Sequence, residues 1–161
     1  MPSNLVVPVL TADFTTDLED MLIPFIQSKW VATDPVAADI SFRPGLFNFH
    51  GPYEVCALQT VTLCEKLNSG LNYKFLTDVP VAMRAKRLTT DEDPTRPLQI
   101  LTQMEQELQR IIMKTGMYPI PGIDRIIYDG FDRSYDRTDT YAKSEWASIS
   151  RVKMLYQKSK V

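Results

Sequence analysis

Few side chains in this sequence could carry chemistry. His50 is the only histidine, and so the only side chain whose ordinary pKa suits acid–base work near neutrality. No serine or cysteine stands beside it in a nucleophile motif, so a general base and a loop histidine capping a turn are the two readings. Cys56 and Cys64 are the only cysteines. Their spacing fits no zinc or redox pattern, and with one histidine they cannot close a four-ligand zinc site; buried, inert thiols are expected. Asp91, Glu92 and Asp93 lack the spaced oxygen ligands and central glycine of a calcium loop, which leaves a solvated linker before a helix N-terminus. The six glycines are scattered, and none forms a phosphate-cradling GxGxxG or Walker pattern. No catalytic residue, metal or cofactor is expected.

Charge is the more informative signal. Three Asp-Arg pairs, Asp124-Arg125, Asp132-Arg133 and Asp136-Arg137, crowd the C-terminal third. Arginine suits bidentate pairing across interfaces, so these pairs read either as subunit contacts or as surface ion pairs. Arg84, Lys86 and Arg87, with Arg151, Lys153, Lys158 and Lys160, put basic residues on two predicted strands. Such a stripe is either a solvated sheet face or a phosphate-contacting patch. The net charge of -2 and pI of about 5.4 favour the former.

The 161 residues, 44% hydrophobic and 24% charged, fit one globular domain spanning residues 1–161. The apolar stretch Leu5-Val6-Val7-Pro8-Val9-Leu10 is short, interrupted by proline and not preceded by basic residues, unlike a signal peptide. No run approaches the roughly 20 apolar residues that cross a bilayer. A soluble protein of a reducing cytoplasm, with no membrane partner, is expected.

The elements that must position these residues follow from periodicity. Thr16-Asp17-Leu18-Glu19 reads as a capping box opening a helix that ends near Trp30, with a kink or short first turn at Pro24. Strands are predicted over residues 40–43, 54–67 and 73–86, the last with Tyr73, Phe75, Val79, Val81, Met83 and Ala85 on one parity and Arg84 and Lys86 on the other. Pro80 cannot donate to a ladder, which assigns it to an edge or bulge. A surface helix over residues 98–115 carries the stripe Leu98, Leu101, Met104, Leu108, Ile111 and Ile112, with Glu105 and Glu107 among its outward residues and Gly116 as its stop. A loop over residues 118–122, a strand over 123–129, a charged stretch from Gly130 and a last strand over 145–156 complete an α-β-β-β-α-β-β order. That order predicts an α+β fold, a single mainly antiparallel sheet packed with two helices.

The N-terminal helix, the strand ending Val-Pro-Val-Ala-Met-Arg-Ala-Lys-Arg, the surface helix, the arginine-rich turn and the strand from Trp146 to Tyr156 resemble the tail-terminator, or tail-completion, proteins of long-tailed viruses of bacteria and archaea. The resemblance rests on length and element order over most of the chain. It implies a virion protein, assembled in the host cytoplasm, whose copies form a ring, commonly a hexamer, on the tail tube. Such a ring meets the tube protein and the head–tail connector, while genomic DNA passes through its lumen without sequence-specific binding. The role needs a sheet edge or β-arm that pairs with a neighbour and charges that fix register. Pro80, Arg84, Lys86, Arg133, Tyr135, Arg137, Arg151 and Lys153 are the candidate contacts with a subunit or the tube. A connector or other neck protein is the nearest alternative, a small cytosolic nucleic-acid-binding module the alternative from another class, and an enzyme using His50 the third.

Overall fold

The longest strand organises the molecule. In the computed structural model, which describes residues 14–45, 51–57, 65–69, 72–120, 122–133 and 145–159, β8 (Glu145–Ser159) buries Trp146, Ser148, Ser150, Val152, Met154 and Tyr156 on one face. One edge of β8 pairs antiparallel with β4 (Asn72–Asp78) and β5 (Val81–Lys86), the other with β7 (Ile123–Arg133). β4 and β5 hold one register: Asp78 faces Lys153, Val81 faces Ser150, and between them the Val79 N–H donates to the Val152 carbonyl at 2.7 Å. The strand predicted over residues 73–86 is therefore one ladder interrupted at Pro80. Because Val79 points its N–H at β8, the nitrogen of the next residue points away, and a proline fits there without loss of register.

The far edge of β5 takes β2 (Tyr53–Ala57), which pairs in parallel with β1 (Ile40–Pro44); the far edge of β4 takes β3 (Glu65–Ser69). β6 (Met117–Ile120) pairs with the start of β7. All eight strands form one sheet, antiparallel except at β1 and β2. α1 (Phe14–Lys29) packs on β1 and β2 and also touches β6, so the sheet curls its two ends toward one helix. α2 (Arg96–Thr115) lies across β5, β7 and β8. The fold is α+β, with a mainly antiparallel sheet and two helices in the predicted order.

Burial explains why these elements adhere. α2 buries Ile100, Leu101, Met104, Leu108, Ile111 and Ile112, each contributing about 1.5–3 kcal/mol when removed from water. They meet Val81, Met83 and Ala85 of β5 and Ile126 of β7 in one core, with Leu18, Leu22 and Ile26 of α1. Trp30, just past α1, packs edge-on against Phe42 of β1 with ring centroids 5.5 Å apart.

Several local expectations need correction. α1 begins at Phe14, so Thr16 lies within its first turn rather than before it, and the helix continues through the exposed Pro24. The stretch expected as one strand over residues 54–67 contains two, β2 and β3, which border different segments of the β4–β5 ladder. The loop expected over residues 118–122 includes the end of β6, and β7 runs beyond its expected end through Gly130 to Arg133. Gly130 lies in a register shift of β7, at φ 86°, the left-handed conformation that a bulge glycine supplies. Gly116 does end α2, but at φ -76°, not in the left-handed cap conformation. A Cβ there would sit 2.6 Å from the Ile126 carbonyl oxygen and also meet that of Ile112, so close backbone approach is what requires glycine. Glu105 and Glu107, expected on the solvent side of α2, are buried at 2% and 5% exposure.

Candidate functional site: the outer sheet face and the strand edges

The sheet has an inner face toward the helices and an outer face, and the candidate contacts Pro80, Arg84, Lys86, Arg151 and Lys153 lie on the outer one. Pairing puts Glu54 beside Arg84, Arg84 beside Ala147, Ala82 beside Ile149, Asp78 beside Lys153 and Asp132 beside Ile149. Alternation along each strand then gathers Pro80, Arg151, Lys153, Asp78 and Asp129 around a depression of about 200 Å³. Three of the candidates, Pro80, Arg151 and Lys153, thus come together.

Their charges are already engaged. Arg151 Nη1 lies 3.1 Å from Asp132 Oδ2, and its Nε donates to the Asp129 carbonyl at 2.9 Å. Lys153 Nζ lies 3.6 Å from Asp129 Oδ2. The Asp-Arg turn therefore works across strands: Asp132 pairs with Arg151 of β8. The bulge makes this possible, since the missing Cβ of Gly130 leaves room for the Arg151 guanidinium, which would otherwise be 2.9 Å from it.

Arg84 departs most from expectation. It was expected on a solvated parity, yet its side chain is 2% exposed, bound to Glu54 Oε2 at 2.8 Å and donating to the Gly51 carbonyl at 3.0 Å. Glu145 adds a second carboxylate at 3.5 Å. The outer face is thus closed over β2 and β5, with Cys56 and Ala82 buried there as well. Burial and the nearby Glu54 push the Cys56 thiol up to about 12, which leaves it protonated at neutral pH. Lys86 is exposed at the end of β5, opposite Glu145. Arg133 ends β7 opposite Ser148; Tyr135, Arg137, His50 and Cys64 lie outside the described residues.

The acidic run before α2 is structural. Asp91 accepts the Leu88 N–H at 2.8 Å, and Asp93 Oδ1 accepts the Thr95 N–H and hydroxyl at 2.8 and 2.7 Å. Those Thr95 bonds hold the Asp93 carboxyl below its ordinary range. Among the described residues, no group of three or more His, Cys, Asp or Glu could hold a metal ion, and no helix is long and apolar enough to cross a membrane.

Two features escaped the sequence reading. Glu107 Oε2 accepts the N–H groups of Val31 (2.7 Å) and Ala32 (2.5 Å), and its other oxygen binds Arg110, which donates to the last carbonyl of α1, Lys29, at 3.0 Å. Burial would raise the Glu107 carboxyl, but the Arg110 and backbone bonds outweigh it and hold the carboxyl below its ordinary range. The second feature is a strand edge. β6 pairs only with the start of β7, from Ile123 to Arg125. Beside that edge runs a groove of about 390 Å³ between the end of α2 and β7, flanked by Met113 and Met117 at 73% and 63% exposure. A helix position that faces solvent and carries methionine was the only sequence signal. β1 and β3, across the sheet from it, and β6 each pair on one side only among the described residues. No protein-family model matches the chain, and no curated protein is significantly similar to it in sequence.

Proposed function

We propose that the protein is a structural subunit of a viral tail or neck, acting as a tail terminator whose copies join into a ring on the tail tube, beneath the head connector. The observation that carries this reading is that, among the described residues, β1 and β3 on one side of the curled sheet and β6 on the other each pair along one edge only. Different edges at two ends give a head-to-tail contact, and head-to-tail contacts close into rings when the rotation per subunit permits. The cross-paired charges of the outer face, Arg151 with Asp132 and Lys153 with Asp129, offer a neutral patterned surface that would set register against the tube. A nucleic-acid module is the weaker reading, because Arg84 is buried and Arg151 and Lys153 already face carboxylates. The residues around Pro80 remain candidate contacts; Arg84 supports the surface from within.

The test is sedimentation of the purified chain over a wide concentration range, with negative-stain imaging alone and on tail tubes. Rings, free or at tube ends, are expected. A particle that stays monomeric and leaves tube ends bare would contradict the reading.

A further inference from the structure

The groove at the end of α2 carries one charged side chain among the described residues that line it, Arg125, and no carboxylate. The register of β6 against β7 sets Arg125 opposite Met117, so an exposed cation stands directly beside an exposed apolar side chain, with Met113 across the groove. Arg125 has no ion pair among the described residues. Such a groove suits an apolar side chain with a carboxylate next to it, because methionine adapts to what is laid against it and a guanidinium matches a carboxylate.

The chain presents that combination elsewhere on its own surface. The Asp39 N–H donates to the Val36 carbonyl at 3.0 Å, closing a turn that brings the exposed Val36 and Asp39 to one corner directly before β1. Asp39, too, has no ion pair among the described residues. The surroundings of this corner are negative: the Tyr53 hydroxyl is raised by burial first and then by the charges of Asp91, Asp34 and Asp39, with Arg96 opposing them.

Within one copy, corner and groove are held apart. Asp34 is paired with Arg96, the first residue of α2, whereas the groove lies at the last turn of that helix, and its 20 residues span about 30 Å. The two complementary surfaces therefore stand toward opposite ends of one helix, the arrangement that head-to-tail contact between identical subunits needs. Lone surface charges would signify only solvated ions; here each has an exposed apolar neighbour to bury with it.

We infer that the groove of one copy receives the Val36–Asp39 corner of a second copy, with Val36 against Met113 and Met117 and the Asp39 carboxylate on Arg125. This inference rests on the ring reading and names the contact that joins one subunit to the next.

Sedimentation of charge-reversed full chains, alone and with tail tubes, tests it. Arg125→Glu and Asp39→Arg should each weaken self-association at least about tenfold, because like charges then face each other. An equimolar mixture of the two variants should recover most of the lost affinity, since each supplies the surface that complements the other. Both positions are exposed, so thermal melts matching the wild type will show that the variants fold. Met113→Glu, at a position 73% exposed, changes the groove independently and should weaken association as well. A wild type that assembles while these variants assemble equally well would overturn the inference and leave the ring reading standing. Loss of assembly in both charge variants that mixing does not repair would overturn it too. A wild type that assembles neither alone nor on tubes would remove the inference together with the ring reading.

Discussion

Arg84 shows how far one side chain can depart from its parity. Strand alternation assigned it correctly to the outer face, but alternation says nothing about whether that face is wet. Because Glu54 is fully buried beside it, truncating either partner strands a charge. Arg84→Ala should therefore destabilise the fold by about 3–5 kcal/mol, measured by chemical denaturation, whereas Arg84→Met combined with Glu54→Leu should recover most of the loss. The nearby Cys56 gives a second residue-level expectation. Its thiol, raised to about 12, should resist a disulfide reagent at pH 8 in the native state and react on unfolding. Above the ordinary thiol range the unfolded chain gives up this proton while the folded one keeps it. Its contribution to stability should consequently fall as the pH rises toward 12.

At the scale of elements, the link between α1 and α2 depends on Glu107, whose carboxylate holds two backbone N–H groups past the end of α1 while Arg110 takes the Lys29 carbonyl. Glu107→Ala should cost about 2 kcal/mol in chemical denaturation, since two part-buried N–H groups and Arg110 lose their acceptor. Glu107→Gln can restore only part, having one acceptor oxygen. The folded-state pKa of Glu107 is depressed, so its stabilisation is present above the ordinary glutamate range and is lost as pH falls through the depressed value. An acid titration of the wild type against Glu107→Gln should accordingly converge at low pH. Gly130→Ala should likewise destabilise by about 1–2 kcal/mol, through its positive φ, and loosen Arg151 from Asp132.

These elements also mark what the sequence could disclose. The parity of Phe75, Val79, Val81, Met83 and Ala85 was legible because every one of them faces the same core, and α2 was legible because its apolar stripe is periodic. Glu105 and Glu107 were misread because periodicity treats a carboxylate as solvent-facing, while partners distant in sequence, Val31 and Ala32, make burial tolerable. β6 was missed because four residues containing Pro119 carry too little pattern to distinguish a strand from a loop. Of the candidate contacts, Pro80, Arg151 and Lys153 could be named individually, but their convergence depends on the register of β4 and β7 against β8, which spacing within one strand does not encode.

For the whole molecule, the curled sheet has, among the described residues, strands paired on one side only at both of its ends, β1 and β3 at one and β6 at the other, with a charge-patterned face between them. Head-to-tail joining of such edges would use surfaces that a lone subunit leaves open, and the cost of covering them in isolation would be met by assembly. The outer-face charges belong to the same scale: a change such as Asp132→Lys should disturb seating on the tube, read as fewer capped tube ends in images, while changing subunit stability by less than about 1 kcal/mol.

The most direct test of this account is the mass distribution of the purified chain by analytical ultracentrifugation, with and without tail tubes, and imaging of the same samples. The account predicts a discrete closed oligomer, or a monomer that becomes a ring at tube ends. A monomer at every concentration that never decorates a tube would contradict it.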